Sequence, residues 1–369
     1  MEDLEKMSAF WTGKRVFLTG HTGFKGSWLA LWLQHLGARV TGYALAPPPA
    51  TQSLFEIARV GVGMESILGD VTNYDHLVST LRSAEPDIVI HMAAQSLVRY
   101  SYANPDETYR TNVMGTVNLL QAVRQVSSVR AMLNITSDKC YENREWIWGY
   151  RENDRLGGRD PYSNSKACAE LVSSAFRDSF FQPGSHVGRA VALATARSGN
   201  VVGGGDWAQD RLIPDILRAV AAGEVVEIRS PTAIRPWQHV LEPLSGYLAL
   251  VERLFTDGQA FAGAWNFGPA EADAHSVAWI ADRLTGMWSP EARWTVTNAP
   301  QPHEDHYLRL DCAKADQKLG WRTRWDLSTT LTRIVSWHKA WLAGDDMTAR
   351  TLADIVDFSG VRRDHGDSV

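Results

Sequence analysis

A glycine-rich stretch near the N-terminus constrains the fold more than any other part of the sequence. Val16–Leu18 is short, apolar and β-prone, so it predicts a buried strand. Glycines follow at positions 20, 23 and 26, and apolar residues from Trp28 to Leu36 recur at helical spacing. The alternative is a plain βα turn with incidental glycines, but the order of strand, glycine turn and helix favours a dinucleotide-binding loop.

Each glycine of this turn has an expected role. Gly20 permits the tight turn, Gly23 lets backbone N–H groups approach a pyrophosphate, and Gly26 lets helix and strand pack closely. The helix N-terminus then faces the anion. His21 and Lys25 would add positive charge beside the phosphate. We expect cofactor contacts from Gly20, His21, Thr22, Gly23, Phe24, Lys25 and Gly26.

Composition excludes several classes of function. The 369 residues suffice for two lobes, and a net charge of −5 gives no reason to expect nucleic acid or an anionic membrane as partner. No apolar run approaches the ~20 residues that a membrane span needs. Cys140, Cys168 and Cys312 lack metal-ligand spacing, so we expect no metal. Isolated thiols and an acidic N-terminus without an apolar signal segment predict a cytoplasmic protein.

Apolar strands that alternate with helices predict an α/β fold, a Rossmann-like doubly wound parallel sheet. After residue 200 the pattern becomes mixed and predicts a smaller α/β substrate-binding lobe, with Gly203–Gly205 as a flexible loop and a helix near 312–342. Residues after 355 are polar and are expected to be poorly ordered. The predicted units are a cofactor domain of 13–198 plus about 236–270, a lobe of about 199–235 plus 271–345, and a C-terminal tail of 346–369.

The ends of the predicted strands offer further cofactor contacts. The second strand lacks the acid that usually binds the adenosine ribose, so this position does not choose between NAD and NADP. Asp70 would accept from the adenine amino group, or would instead cap the next helix. Small residues after the fourth strand let a cofactor lie against the backbone. The contacts predicted here are Asp70, Val71, Met92, Ala93 and Ala94.

A tyrosine and a lysine at the start of a predicted helix supply acid–base chemistry. Tyr162 and Lys166 are four residues apart, so both side chains project from one face. A tyrosine with a pKa near 10 is a poor base, but a nearby ammonium favours the phenolate and lowers that pKa. The pair suits removal of a hydroxyl proton while a hydride leaves the same carbon.

Together these residues resemble the extended short-chain dehydrogenase/reductase family of NAD-dependent nucleotide-sugar epimerases and dehydratases. The resemblance covers roughly residues 13–340. Its motifs are the glycine turn, Gly69-Asp70-Val71, His91-Met92-Ala93-Ala94-Gln95, Tyr162 with Lys166, and Arg197-Ser198-Gly199-Asn200. A sharper resemblance, to the 4,6-dehydratases that act on CDP-glucose, is carried by the extended glycine turn, Thr136–Asn143, Gly203–Trp207 and Arg235–Val240.

The resemblance implies NAD as cofactor and a defined set of catalytic residues. Tyr162 would be the base for the C4 hydroxyl, with Lys166 lowering its pKa, and Ser137 would hydrogen-bond the C4 oxygen. Asp138 would protonate the departing C6 hydroxyl, which needs a raised pKa. Lys139 would take the C5 proton, and to do so it must be neutral. Related dehydratases carry Asp-Glu at this dipeptide, whereas epimerases and reductases need neither group.

The resemblance also implies a nucleotide-sugar substrate and a homodimer. The dimer would form through helices at about 108–126 and 162–181. Arg235 beside Trp237 suits a phosphate clamp, while the histidines are equally typical of structural positions. Substrate contacts are expected from Gln95, Ser96, Asn200, Arg211, Arg235, Trp237, His239, His303 and Tyr307.

Two alternative functions remain open from the sequence. One is a sibling reaction on the same scaffold, either 4-epimerisation or dehydration of another nucleotide sugar. The other is a non-catalytic NAD-binding protein, against which the intact set of Ser137, Asp138, Lys139, Tyr162 and Lys166 argues.

Overall fold

The computed structural model describes residues 8–48, 52–184, 189–297 and 308–360, and its centre is a seven-stranded sheet. The strands are β1 (Arg15–Thr19), β2 (Arg39–Ala44), β3 (Glu65–Leu68), β4 (Ile88–His91), β5 (Ala131–Ile135), β6 (Ala192–Ser198) and β10 (Gly263–Phe267). They pair in the order β10-β6-β5-β4-β1-β2-β3, and every pairing is parallel. The predicted doubly wound parallel sheet is confirmed.

Helices cover both faces of the sheet because its strands are buried on both sides. One face buries Trp28, Trp32 and Tyr247, and the other buries Phe17 and Leu119. Chain order reverses between β1 and β4, and this reversal opens a crevice at their carboxyl ends. The flanking helices are α1 (Phe24–His35), α2 (Leu54–Ile57), α3 (Tyr74–Ala84), α4 (Val98–Ala103), α5 (Pro105–Tyr109), α6 (Gly115–Arg124), α7 (Pro161–Phe180) and α9 (Leu241–Asp257).

A smaller mixed lobe lies over one end of the sheet. Its strands are β7 (Asn200–Val202), β8 (Val226–Ile228), β9 (Ile234–His239), β11 (Ala274–Ser276) and β12 (Trp294–Val296). They form two small sheets, β11-β9-β7 and β12-β8. The lobe's helices are α8 (Leu212–Ala222), α10 (Val277–Trp288) and α12 (Leu327–Leu342), whereas α11 (Ala313–Leu319) packs against β10 of the main sheet and against α9. The lobe's own apolar core includes Ile216, Ile280 and Leu331.

Three local predictions differ from the structure. The helix expected over 312–342 is two helices, because Gly320 adopts a left-handed conformation (φ +60°) and ends α11. The long helix near 108–126 is interrupted by a π-helical turn at Arg110–Met114. The glycines at 203–205 are buried rather than flexible, and a Cβ on Gly204 would lie 2.3 Å from the ring of Trp337.

The C-terminal tail is also more ordered than the sequence predicts. Residues Met347–Gly360 form helix α13. Ile355 and Phe358 are fully buried, and the ring of Phe358 packs edge-on against Trp32 and Trp325. The expectation of poor order after residue 355 is therefore wrong as far as residue 360, because apolar side chains one turn apart anchor this helix to the core.

Candidate active site

A cleft of about 1280 Å³ runs along the carboxyl edge of the parallel sheet. It begins at the glycine turn after β1, passes the ends of β4, β5 and β6, and continues into the smaller lobe beside α8 and β8. This edge is where open α/β sheets bind ligands. In the described part of the chain, no cluster of three His, Cys, Asp or Glu side chains could hold a metal ion, and no helix meets the length and apolarity of a membrane span.

The glycine turn is shaped to receive a dinucleotide. Gly20 has φ +77°, and a Cβ on Gly26 would lie only 2.0 Å from the Gly20 carbonyl oxygen, so side chains are excluded at both positions. A Cβ on Gly23 would meet only that same oxygen, at 3.4 Å. Gly23 is the N-cap of α1 and carries no side chain to cap it, so the first N–H groups of the helix remain for an anion. Gly20, Thr22, Gly23, Phe24, Lys25 and Gly26 all line the cleft.

The two cationic candidates in this turn behave differently. His21 is fully buried, its Nε2 lies 2.7 Å from Ser66 Oγ, and its ring packs edge-on against Phe55. Burial lowers the pKa of His21 to about 4, so the expected positive charge from this residue is wrong. Lys25 does line the cleft, where its Nζ donates to Ser198 Oγ (3.0 Å) and the Tyr247 hydroxyl (3.1 Å). Burial, together with the nearby Arg211 guanidinium, lowers the pKa of Lys25 to about 7, so at neutral pH this residue carries only part of the expected positive charge.

The strand-end residues predicted to bind cofactor all face the same cleft. These residues are Asp70, Val71, Met92, Ala93 and Ala94. The Asp70 carboxylate accepts from the Thr72 N–H at 2.8 Å, whereas the next helix is capped by Asn73, whose side chain accepts from the His76 N–H. Asp70 is therefore not the helix cap, and its position on the cleft leaves the adenine interpretation open.

A short 3-10 turn after β5 carries three of the predicted catalytic residues. The Ser137 hydroxyl accepts from the Lys139 N–H (3.2 Å) and donates to Asp138 Oδ1 (3.0 Å). Ser137 and Asp138 are buried, Lys139 is half-buried, and all three line the cleft. Burial raises the pKa of the Asp138 carboxyl, although the Lys139 ammonium opposes this. A raised pKa is the direction that a general acid requires.

Tyr162 and Lys166 face this turn from the first two turns of α7. Asp160 caps the helix by accepting from the Ser163 N–H at 2.9 Å, and the Lys166 ammonium donates to the Ile135 carbonyl at 3.2 Å. Burial lowers the pKa of Lys166 to about 8 and raises that of Tyr162 to about 12. The predicted lowering of the Tyr162 pKa by Lys166 is not seen. The groups that lower it are the hydrogen-bonded Ser137 and the Arg211 guanidinium.

Most predicted substrate residues lie on the cleft, but not all of them present a free side chain. Arg211 pairs with Asp206 (3.0 Å) and donates to Ser96 Oγ (3.3 Å) across the cleft. The Gln95 amide is already hydrogen-bonded within the protein, because it donates to the Leu97 carbonyl of its own loop and to Thr108 Oγ1 on α5. The predicted residues on the cleft are Gln95, Ser96, Asn200, Arg211, Arg235 and Trp237.

The three remaining substrate candidates do not contribute to the described cleft. His239 is buried between the rings of Trp28 and Trp325, and its Nδ1 accepts from the Leu241 N–H. It is absent from the described cleft lining, so its prediction as a substrate residue is wrong: it is a core side chain. His303 and Tyr307 lie outside the described residues.

Sequence reasoning missed a charged bridge at the cleft. Asp210 accepts from Arg99 (3.2 Å), which follows β4, and from Arg229 (2.9 Å), which follows β8, so one carboxylate joins the two lobes. All three residues line the cleft. No local pattern marks them, because they converge only when the lobe folds over the sheet.

The class of protein follows from the fold and the site together. A doubly wound sheet with a glycine turn, and a Tyr-x-x-x-Lys pair facing Ser137 across the same cleft, define an enzyme of the extended short-chain dehydrogenase/reductase class. More closely, the chain belongs to the family described as GDP-mannose 4,6 dehydratase, whose model matches residues 17–334.

Individual relatives place the chain among nucleotide-sugar enzymes. It is 58% identical over 349 residues to a CDP-glucose 4,6-dehydratase of Salmonella typhimurium strain LT2, with 95% of this chain and 97% of that protein covered. It is 26% identical to a dTDP-glucose 4,6-dehydratase of Streptomyces antibioticus, over 88% of this chain and 92% of that one. Among solved structures, MoeE5 in complex with UDP-glucose and NAD superposes with a TM-score of 0.72 at 26% identity, covering 89% of this chain and all of that one.

Proposed function

We propose that the chain catalyses the 4,6-dehydration of CDP-glucose to CDP-4-keto-6-deoxyglucose, with NAD as cofactor. The observation that carries this proposal is the Asp138-Lys139 dipeptide placed on the cleft beside Tyr162. Loss of water across C5–C6 needs an acid at C6 and a base at C5, which an epimerase or a simple reductase does not need. The 58% identity to a CDP-glucose 4,6-dehydratase over nearly the whole chain agrees with this reaction.

The cofactor would lie along the glycine turn and the strand ends that share the cleft. Gly20 and Gly26 exclude side chains there, and Gly23 leaves room for the pyrophosphate at the N-terminus of α1. When bound, NAD supplies the acceptor for a hydride from C4 and returns that hydride to C6. Asp70, Met92 and Ala93 would line its adenosine and ribose portions, which is how we interpret their place on the cleft.

Tyr162 would take the proton of the C4 hydroxyl as that carbon is oxidised. Its phenol is buried, which disfavours the charged form, but Ser137 and Arg211 both lower its pKa and so stabilise the phenolate. The Ser137 hydroxyl would hydrogen-bond the C4 oxygen as it becomes a carbonyl. Lys166, held against the Ile135 carbonyl, would orient the nicotinamide ribose.

Elimination would then use the next two residues of the turn. The C4 ketone acidifies the C5 proton, and the neutral amine of Lys139 would remove it and return it to C5 when hydride is added at C6. Asp138, whose burial raises its pKa, would protonate the departing C6 hydroxyl. The electron pair from C5–H forms the C5–C6 double bond while the C–O bond breaks, so one water leaves without any net change in oxidation state.

The diphosphate and nucleoside would extend into the smaller lobe. Arg211 and Arg235 line this part of the cleft, and a guanidinium can bind phosphate oxygens with two parallel hydrogen bonds. Asn200 and Trp237 lie beside them. We propose these four residues as the diphosphate and nucleotide contacts.

We also propose a cytoplasmic homodimer. Leu171 on α7 is 58% exposed and Met114, beside α6, is 49% exposed, so the two long helices present apolar side chains to solvent. The three cysteines are free thiols, which suits a reducing compartment. Light scattering of the wild type and of Leu171→Asp tests the interface: the variant should be monomeric, and an unchanged mass would place the contact elsewhere.

The proposed reaction is tested by incubating the purified protein with CDP-glucose and NAD⁺ and following the product by mass. Loss of one water with no net NADH is the expected result. An unchanged mass with inverted C4 would favour the epimerase. Loss of water only from a dTDP-, UDP- or GDP-sugar would reassign the nucleotide, and no reaction with any of them would support a non-catalytic protein.

A further inference from the structure

A buried ion pair lies directly behind the active-site turn. The Arg197 guanidinium and the Glu170 carboxylate are 2.8 Å apart, and each side chain is only 3% exposed. Glu170 is on α7, four residues after Lys166 and eight after Tyr162, so the three side chains follow one another along one face of the helix. Neither residue of the pair lines the cleft within the described part of the chain.

The carboxylate of Glu170 holds the residue that precedes the turn. It accepts from Thr136 Oγ1 on one oxygen, and from Thr195 Oγ1 (2.7 Å) and Arg197 on the other. Thr136 is joined by the chain to Ser137, and its backbone N–H donates to the Ala196 carbonyl at 2.9 Å. Glu170 therefore fixes the N-terminal end of the turn against α7.

The guanidinium of Arg197 holds the residue that follows the turn. It donates to the Tyr141 hydroxyl (2.6 Å) and to the Glu152 carbonyl (3.0 Å), and it lies 4.8 Å from the centre of the Tyr141 ring. Tyr141 is the residue that ends the 3-10 turn, and its own hydroxyl donates to Asn266 Oδ1 at 2.8 Å. Arg197 therefore fixes the C-terminal end of the turn.

We propose that Glu170 and Arg197 are positioning residues that hold the Ser137–Lys139 turn in register with Tyr162. This inference rests on the proposed function, in which that turn carries the acid and the base. Burying two charges costs desolvation, and apolar replacements of buried pairs are often no less stable, so stability alone does not account for the pair. The need to hold the catalytic groups in place does account for the ion pair, because a misplacement of about 1 Å costs on the order of 100-fold in rate.

Two matched variants distinguish a role in positioning the Ser137–Lys139 turn from a role in stabilising the fold. Thr136→Val and Thr195→Val are isosteric, and each removes one hydrogen bond to the same carboxylate, but only Thr136 adjoins the turn. We expect kcat to fall about 10- to 100-fold in Thr136→Val with KM within about 3-fold, and kcat of Thr195→Val to stay within about 3-fold of wild type. The melting temperatures of both variants should fall by similar amounts. Equal effects on kcat, or no effect in either, would overturn the inference.

Tyr141→Phe tests the other end of the turn. It keeps the ring that packs beside Arg197 and removes the hydroxyl that Arg197 donates to. We expect a kcat lowered at least about 5-fold with little change in KM. A wild-type kcat in this variant would show that Arg197 does not position the turn.

Amide hydrogen exchange at residues 137–141 distinguishes a failure of this inference from a failure of the proposed function, since it needs no substrate. Exchange there should be faster in Thr136→Val than in wild type and unchanged in Thr195→Val. The same rate in all three proteins would overturn the positioning role, whatever sugar nucleotide the enzyme uses.

Discussion

At the scale of single residues, Tyr162 gives the sharpest prediction. Tyr162→Phe removes the only group at that position that can take the C4 proton, while its ring still fills the buried site. General-base catalysis contributes about 10²- to 10⁴-fold, so turnover should fall by at least 10²-fold. Mass spectrometry of the product measures this, and binding of CDP-glucose by calorimetry is the control, which should change by less than about 3-fold. A variant with wild-type turnover would remove Tyr162 from the mechanism.

Lys139 separates elimination from oxidation. In Lys139→Ala, hydride removal at C4 should proceed near the wild-type rate, because Tyr162 and Ser137 are intact, while exchange of the C5 proton and loss of water should slow at least about 100-fold. Single-turnover absorbance at 340 nm reports reduction of NAD, and deuterium incorporation from D₂O reports C5 exchange. An unchanged rate of dehydration would show that another group is the C5 base.

The predicted residues that line the cleft and the two histidines that do not differ in the direction of their side chains, since nearly all of them are buried. Ser137, Asp138 and Lys139 follow β5, and Tyr162 and Lys166 lie in the first turns of α7. The five residues meet because the end of β5 and the start of α7 lie at the same edge of the sheet. His21 and His239 are in or beside motifs too, but their rings turn into apolar clusters. The direction of the His239 side chain depends on packing against residues far away in the sequence, such as Trp325, and no local sequence pattern predicts that contact.

At the scale of elements, the turn between β1 and α1 depends on the absence of one side chain. A Cβ on Gly26 would lie 2.0 Å from the Gly20 carbonyl oxygen, so Gly26→Ala must move the helix away from the strand. We expect a loss of about 1–3 kcal/mol in the free energy of unfolding and a weakened affinity for NAD. Chemical denaturation and NAD titration measure the two effects.

Gly286→Ala is the matched control for that variant. Gly286 lies in α10, and a Cβ there would meet no atom within 4 Å. Alanine should therefore stabilise this helix by about 0.5–1 kcal/mol and leave NAD affinity unchanged. Equal stability changes in the two variants would mean that the close approach at Gly26 does not constrain the turn.

Element types were predictable where hydrophobic periodicity was strong, and their ends were not. The strands of the parallel sheet and α7 follow their apolar patterns. The break between α11 and α12 depends on Gly320 adopting φ +60°, which a glycine permits but does not require. Order in α13 depends on Phe358 meeting Trp32 and Trp325, residues far away in the sequence.

At the scale of the whole molecule, buried titratable groups distributed through the fold make stability depend on pH. His21, His91, His239 and His338 all have a pKa lowered by burial, to about 4, 3, 3 and 4. Each ring is neutral in the folded protein, but in the unfolded chain it is protonated below pH 6.5. The folded state is therefore stabilised above pH 6.5, and this contribution is lost as the pH falls from 6.5 toward 4.

Glu242 has the opposite effect on the pH dependence of stability from that of the histidines. Its carboxylate lies on α9 and accepts from the N–H groups of Arg324 and Trp325, and burial raises its pKa to about 7. The folded protein therefore keeps this proton at a pH where the unfolded chain, with a pKa of 4.5, has lost it. Its contribution to stability is largest below pH 4.5 and falls as the pH rises through 7. Between pH 5 and 6.5 the four histidines outweigh one glutamate, so the protein should lose stability on acidification.

Two variants should change the slope of unfolding free energy against pH in opposite directions. His239→Asn keeps an acceptor for the Leu241 N–H and removes one buried base, so stability should fall less steeply between pH 6.5 and 5. Glu242→Gln removes the opposing group, so stability should fall more steeply. Each proton changes the slope by about 1.4 kcal/mol per pH unit, which denaturant titration at pH 5.0, 5.75 and 6.5 resolves. Parallel slopes in wild type and both variants would mean that neither group changes protonation on unfolding, and any acid sensitivity would then have to come from other groups, such as His21, His91 and His338.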